Sequence, residues 1–160
     1  MSAIALVVAI ADNGVIGDHG KIPWRISDDM KLFKAITLGK PIVMGRKTWD
    51  SLPKKPLPGR TNIVVTRDRR FAAPGATIVH SFDDALAAAR GADEIAIIGG
   101  ADIYRAALPK ASRIYLTEVH RDFAGDAHFV LDRTGWRETS REDRATPDGL
   151  AYSIVLLERA

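Results

Sequence analysis

Short apolar runs recur along the first two thirds of this 160-residue chain and alternate with segments of helical periodicity. Several of the runs are almost wholly apolar, and such strands have to be covered on both faces of their sheet. Alternating strands and helices predict an α/β fold with parallel strand pairs. The predicted strands span residues 4–10, 41–44, 62–66, 77–79 and 94–98, and the predicted helices span 27–38, 46–52, 81–90 and 101–108.

The last third of the sequence has a different pattern. Three more strands are predicted at 113–119, 136–143 and 150–158, and a turn at 146–149 joins the last two. We therefore predict one α/β domain over residues 1–160. Its central sheet is mixed but mostly parallel, about four helices flank it, and an antiparallel hairpin closes the C-terminal edge. The length fits one domain, and no linker or internal repeat divides it.

Composition excludes several kinds of protein. The chain has no cysteine, which removes disulfides, thiolate nucleophiles and cysteine-based metal centres. Its formal net charge is +3 without a run of five like charges, so small anionic ligands fit better than nucleic acid. The apolar run at 3–11 is too short to span a bilayer, and no basic residue precedes it. We expect a buried central strand there, and a cytoplasmic protein without membrane association.

Asp29 lies on the apolar face of the first predicted helix, between Phe33 and Ile36 on a helical wheel. A buried acid needs a partner or a raised pKa, and both suit proton transfer or the binding of a cationic heterocycle. An alternative is that Ser27 caps the helix and Asp29 is a first-turn acid favoured by the helix dipole. The apolar face consists of Ile26, Met30, Phe33, Ile36 and Thr37.

Two glycine-containing junctions connect a predicted strand to a predicted helix, at 44–49 and at 97–104. Backbone N–H groups at such junctions can bind an anion, and Arg46 and Lys47 would add charge at the first one. Each could also be an ordinary tight turn, and neither has the GxGxxG pattern. Both junctions fall at carboxyl ends of strands, where ligands of open α/β sheets bind. With Arg67 nearby, the pair could hold a dinucleotide that carries an extra phosphate.

The segment 13–21 follows the first strand and contains three glycines. Mobile loops beside clefts often act as lids, and this one directly precedes the helix that carries Asp29. A plain connection between two elements is the alternative.

Taken in order, these motifs closely resemble bacterial dihydrofolate reductase. The resemblance covers nearly the whole chain, and it is the ordered set of motifs that makes it specific. The matching residues are Asn13-Gly14-Val15-Ile16-Gly17, Ile22-Pro23-Trp24, Asp29, Phe33, Met44-Gly45-Arg46-Lys47-Thr48-Trp49, Pro56-Leu57-Pro58-Gly59-Arg60-Thr61-Asn62, Ile98-Gly99-Gly100, Tyr104, Tyr115-Leu116-Thr117 and Gly125-Asp126-Ala127-His128-Phe129.

The resemblance implies hydride transfer from NADPH to 7,8-dihydrofolate, which supplies tetrahydrofolate for one-carbon metabolism. Asp29, Trp24 and Thr117 would form the catalytic set, with Asp29 binding the pterin and promoting protonation of the ring imine through water. The expected cofactor is NADPH, and no metal is expected. The other expected ligands are antifolate inhibitors, and the expected state is a monomer.

The resemblance also implies a role for each matching position. The implied substrate-binding residues are Val7, Val8, Asp29, Phe33, Leu57, Arg60 and Thr117. The implied cofactor-binding residues are Ala9, Ile16, Gly17, Gly45, Arg46, Lys47, Thr48, Thr66, Arg67, Ile98, Gly99, Gly100, Ala101, Asp102, Ile103 and Tyr104. Residues 40–90 would form an adenosine-binding subdomain. A cis Gly99–Gly100 bond and a hydrogen bond from the lid near Gly17 to the Asp126 loop are expected as well.

Two other functions stay open. A pyrimidine reductase of riboflavin biosynthesis shares this fold and NADPH, but the set of Trp24, Asp29 and Thr117 argues against it. A non-catalytic nucleotide-binding module would keep the two junctions but would not require an acid on the apolar face of the first helix.

Overall fold

An eight-stranded sheet organises the structure, a computed structural model that describes residues 2–160. Its strand order is β5-β4-β3-β6-β1-β7-β10-β9. The first six strands in that order pair in parallel, whereas β10 is antiparallel to both of its neighbours. The sheet strands are β1 (Ala3–Ala11), β3 (Pro41–Gly45), β4 (Thr61–Val65), β5 (Thr77–Val79), β6 (Glu94–Gly99), β7 (Arg113–Val119), β9 (Trp136–Ala145) and β10 (Ala151–Arg159).

Four α-helices cover the two faces of this sheet. They are α1 (Ser27–Thr37), α2 (Arg46–Ser51), α3 (Phe82–Ala88) and α4 (Ala101–Ala107), and a short 3-10 turn, Leu108–Lys110, follows α4. Alternate residues of one strand enter different cores, because side chains along a strand point to opposite faces. Val8 packs in the cluster with α3 and α4, and its neighbour Val7 packs in the cluster with α1 and α2. The predicted mixed, mostly parallel sheet with four helices and a C-terminal hairpin is confirmed.

The predicted element ends agree with the structure to within about two residues. Ser81 caps α3, since its Oγ accepts a hydrogen bond of 3.0 Å from the Asp84 N–H. In the alternative interpretation of Asp29, the assignment of Ser27 as the cap of α1 is wrong, whereas the placement of Asp29 in the first turn is confirmed. Ser27 is already helical, and the capping residue is Ile26, which has no side-chain acceptor to offer.

Two short strands were not predicted. These are β2 (Val15–Gly17) and β8 (Ala127–His128), which pair antiparallel as a small separate sheet. The segment 13–21, predicted as a mobile loop, therefore contains a strand that is tied to a distant part of the chain.

None of the helices in the described part of the chain combines the length and the apolar character that crossing a membrane requires.

Candidate active site

A cleft with a volume of about 2030 Å³ runs along the carboxyl ends of β1, β3, β4 and β6. A drug-sized ligand typically occupies about 300–1,000 Å³, so this cleft has room for two such molecules side by side. Its lining includes every residue predicted for substrate or cofactor. Of the residues predicted to be catalytic, Asp29 and Thr117 line it and Trp24 does not.

Asp29 and Thr117 meet inside the cleft although they are 88 positions apart in the sequence. Asp29 lies in the first turn of α1, and Thr117 lies in β7, which is directly paired with β1. The Thr117 hydroxyl donates a hydrogen bond of 2.6 Å to Asp29 Oδ1. Thr117 is 6% exposed, so the hydroxyl is fixed by its surroundings and holds the carboxylate in one orientation.

Burial raises the pKa of Asp29 above its ordinary value, and the hydrogen bond from Thr117 opposes part of that rise. The apolar side chains next to it are Met30, Phe33 and Ile36, all of which line the cleft. Met30 is 59% exposed. The apolar face of α1 thus borders an open cleft, and Asp29 is both a first-turn acid and a cleft residue.

Trp24 belongs to a packed cluster behind the cleft. Its ring lies 5.1 Å from that of Phe123, between centroids, and the residue is 8% exposed. The same cluster contains Val15 of β2 and Ile26 at the start of α1. The structure therefore places Trp24 where it supports the lid strand and the Asp29 helix, outside the cleft lining.

Asn62 fixes the loop that carries two predicted substrate residues, Leu57 and Arg60. Its side chain is 2% exposed and forms three hydrogen bonds of 2.9 Å, two with the backbone of Leu57 and one with the carbonyl of Arg60. Sequence reasoning did not assign Asn62 a role. The available signal was an amide in an otherwise apolar strand.

Arg60 lies in the cleft beside α1 and is oriented by two hydrogen bonds. Its Nε donates to the Pro58 carbonyl at 2.9 Å, and its Nη1 donates to Thr37 Oγ1 at 3.1 Å. A guanidinium carries five N–H groups, so three are left for a carboxylate in the cleft.

The two glycine junctions predicted from the sequence lie next to each other, because β3 and β6 are neighbours in the sheet. The Gly99–Gly100 bond is cis, as expected, and a second cis bond at Lys55–Pro56 was not predicted. A methyl group on Gly45 would approach Ile103 Cγ1 to 3.4 Å, and one on Gly99, whose φ is +124°, would approach Tyr104 Oη to 3.3 Å. Side chains at these positions would fill the space between the junctions.

Tyr104 closes one side of this glycine junction. It is buried, and its hydroxyl donates a hydrogen bond of 2.8 Å to the Val7 carbonyl. Burial raises the pKa of Tyr104, so it stays neutral and acts as a fixed wall of the cleft.

Three cationic side chains, Arg46, Lys47 and Arg67, line the end of the cleft beyond the glycine junctions. His80 lies at the same end and was missed from the sequence, although it directly follows β5 at its carboxyl end. Its Nδ1 lies 2.8 Å from the Thr66 carbonyl, which can only accept, so Nδ1 carries the hydrogen. The cleft lining also includes residues outside the predictions, among them Ser81, Phe82 and Tyr115.

The predicted lid, segment 13–21, is held to the loop before β8. The His19 N–H donates a hydrogen bond of 3.1 Å to Asp126 Oδ1, and β2 pairs with β8 close by. The expected hydrogen bond between lid and Asp126 loop is thus present, with His19 as the donor.

A nucleotide with phosphates fits this cleft. The glycine backbones leave room for it at the centre, and the cationic side chains lie at one end of the cleft. The apolar half around Asp29 suits a second, flat ligand. Comparison with known proteins agrees, since residues 3–159 match the model of the dihydrofolate reductase family. The chain belongs to that family.

Relatives and solved structures of dihydrofolate reductase cover almost the full chain. The enzyme from Neisseria gonorrhoeae is 49% identical, with 97% of each chain covered, and that from Mycobacterium tuberculosis is 45% identical over the full length of both. A solved dihydrofolate reductase from Enterococcus faecalis, complexed with NADP(H) and RAB-propyl, superposes with a TM-score of 0.90. It is 30% identical and the match covers 98% of this chain and 96% of that one. The predictions of the family, of an NADP-dependent oxidoreductase and of NADPH as cofactor are confirmed.

Proposed function

We propose that this cleft performs the family reaction, the NADPH-dependent reduction of 7,8-dihydrofolate to 5,6,7,8-tetrahydrofolate, with Asp29 binding the pterin. The observation that carries the assignment of roles is the hydrogen bond between Thr117 and Asp29 in an apolar setting. An oriented carboxylate there can accept two N–H donors from one edge of a flat heterocycle.

The proton side of the reaction rests on Asp29. Reduction requires a proton at the ring imine nitrogen, and a carboxyl group whose pKa is raised by burial can favour that protonation near neutral pH. We propose that Asp29 acts through water. Thr117 keeps the carboxylate aligned, and Trp24 supports the helix and the lid from behind.

The cofactor would lie across the glycine junctions. Bound NADPH supplies the hydride, and the protein supplies position and electrostatic field. Ala9, Ile16 and Tyr104 would border the nicotinamide, and residues Gly99 to Ile103 would contact the pyrophosphate. Residues 40–90 would carry the adenosine, with Arg46, Lys47, Thr48, Thr66 and Arg67 around its phosphate.

The substrate would fill the other half of the cleft, around Asp29. Val7, Val8 and Phe33 would contact the pterin, and Leu57 would contact the aminobenzoyl ring. Arg60 would pair with a glutamate carboxylate through the three N–H groups left free by Thr37 and Pro58. Antifolate inhibitors would use the same pterin pocket. A monomeric, cytoplasmic protein without nucleic-acid or membrane partners stays a prediction from the sequence.

Purified protein tests this proposal by the loss of reduced-nicotinamide absorbance when dihydrofolate is added. We expect turnover by the wild type and a loss of about 10²- to 10⁴-fold for Asp29→Asn at neutral pH, the range typical of a group that assists proton transfer. Asp28→Asn is the matched control, because Asp28 is an exposed acid on the same turn of α1. Wild-type protein without turnover, or an Asp29→Asn variant with full turnover, would contradict the proposal. Turnover of a ribosylamino-pyrimidine in place of dihydrofolate would favour the riboflavin-pathway reductase.

A further inference from the structure

Arg46 is surrounded by two carboxylates and an aromatic ring. Its Nη1 lies 3.0 Å from Asp68 Oδ2, and its Nε lies 3.6 Å from Asp50 Oδ2. The guanidinium carbon is also 4.5 Å from the centre of the Phe71 ring. These three side chains together with Arg46 carry one net negative charge, at the end of the cleft where the phosphate of the adenosine ribose would bind.

Asp68 itself is anchored by the backbone around it. Its Oδ1 accepts a hydrogen bond of 2.9 Å from the Arg70 N–H, and its own N–H donates to Thr66 Oγ1 at 3.1 Å. The other carboxylate oxygen therefore faces Arg46. The same hydrogen bonds keep the carboxylate in place when an anion binds beside Arg46.

Asp68 is also the single acid in the sequence Arg67-Asp68-Arg69-Arg70. Arg46 and Arg67 line the cleft, whereas Asp68 contacts Arg46 from outside the lining. A carboxylate bonded to a guanidinium uses one of its donors and offsets part of its charge. NADPH differs from NADH by a phosphate, so this offset acts on NADPH alone.

We propose that Asp68 is a specificity-determining residue that weakens the preference of this chain for NADPH over NADH. The proposal rests on the proposed function, in which Arg46 binds the phosphate that distinguishes the two nucleotides. Phe71 and Asp50 contact the guanidinium as well, and we expect these two contacts to hold it when the Asp68 charge is removed. Loss of the Asp68 charge therefore leaves Arg46 in place and increases its attraction for a phosphate.

The test measures calorimetric dissociation constants of NADPH and NADH for wild type and for Asp68→Asn, with no substrate present. Asparagine keeps the size of the side chain and one carbonyl acceptor for the Arg70 N–H, and it replaces the charged oxygen that faces Arg46 by a neutral NH2 group. We expect the ratio of the NADH to the NADPH dissociation constant to rise about three- to tenfold, equivalent to about 0.6–1.4 kcal/mol at 1.4 kcal/mol per tenfold. The gain should shrink at high salt, because charges near the surface are screened.

Glu142→Gln is the matched control for net charge. Glu142 lies on the exposed edge strand β9, where it pairs with Arg144, and does not line the cleft. Its substitution should leave the ratio unchanged. An Asp68→Asn ratio that stays level would overturn the proposal, and a ratio that falls would show that Asp68 instead positions Arg46 for the phosphate. Wild-type protein that binds neither nucleotide would overturn the cofactor assignment itself, a result distinct from failure at Asp68.

Discussion

The Thr117 hydroxyl donates its hydrogen to Asp29 Oδ1 over 2.6 Å, joining the central sheet to the first turn of α1. The contact has two opposite consequences. It stabilises the carboxylate form of Asp29, while burial of the same group favours the neutral form. Burial has the larger effect, so the pKa of Asp29 is raised overall.

Replacement of Thr117 by valine should raise the pKa of Asp29 further. Valine has nearly the same shape but no donor, so the charged form loses its stabilising partner. We expect the inflection of the pH profile of kcat/KM that depends on Asp29 to move to higher pH. At neutral pH, kcat/KM should fall about tenfold, the effect of losing one hydrogen bond to a charged group, about 1.5 kcal/mol.

Thr117→Ser separates this electrostatic effect from a change in packing. Serine retains the hydroxyl and loses only a methyl group, so its pH inflection should stay near that of the wild type. An inflection that moves equally in both variants would show that packing, and not the hydroxyl, controls Asp29.

Asp29→Asn should stabilise the folded protein at neutral pH. Because burial raises the folded-state pKa of Asp29, the folded state binds more protons than the unfolded state between the ordinary value of 3.8 and the raised one. The stability that this difference contributes is present at acid pH and is lost as the pH rises through the folded-state pKa. Asparagine is neutral throughout, so Tm should exceed that of the wild type by about 2–4 °C at neutral pH, the response to about 1 kcal/mol at this size.

Melting curves across pH, followed by circular dichroism, check the sign of this effect. The advantage of Asp29→Asn should disappear in acid, where the wild-type carboxyl is also neutral. A variant that is less stable than wild type at neutral pH, or an advantage that grows in acid, would contradict the argument.

The fold could be predicted from the sequence because its strands are apolar on both faces. An apolar run such as Ile95 to Ile98 has few alternatives to forming a strand in a sheet that is covered on both faces. The pair β2 and β8 could not be found this way. They contain three and two residues, and their pairing joins segments about 110 positions apart, so no local periodicity reports it.

Only part of the site could be predicted from the sequence. Asp29 was identified from helical periodicity, and the glycine junctions were identified because they follow apolar strands. Periodicity places Met30 on the apolar face of α1, but it does not show whether a core or a cleft lies opposite that face. Asn62 and His80 were missed because their roles depend on backbone groups that only the folded loops bring near.

Asn62→Ala should loosen the loop that carries Leu57 and Arg60. The substitution leaves two backbone groups of Leu57 and one carbonyl of Arg60 without their partner, at a cost of about 1–3 kcal/mol of folding stability. Misplacement of Arg60 should raise KM for dihydrofolate several-fold more than it lowers kcat. Steady-state kinetics and chemical denaturation measure the two effects.

Thr61→Val is the control for Asn62, since Thr61 is exposed and precedes it on β4. It should change neither KM nor the unfolding midpoint appreciably. Equal effects on kcat and KM in Asn62→Ala would argue against a role confined to the substrate tail.

Gly125→Ala should displace the lid. A methyl group at Gly125 would lie 2.4 Å from the Gly17 carbonyl oxygen and 2.5 Å from Val15 Cγ1, so β2 and the loop before β8 would have to separate. That movement would weaken the hydrogen bond from His19 to Asp126 and the pairing of β2 with β8. We expect kcat/KM for NADPH to fall about 10- to 100-fold, since a shift of about 1 Å can cost 10²-fold in rate. Ala124→Ser, at the exposed neighbouring position, is the control and should leave kcat/KM for NADPH unchanged. A Gly125→Ala variant with wild-type kinetics would show that lid docking does not limit turnover.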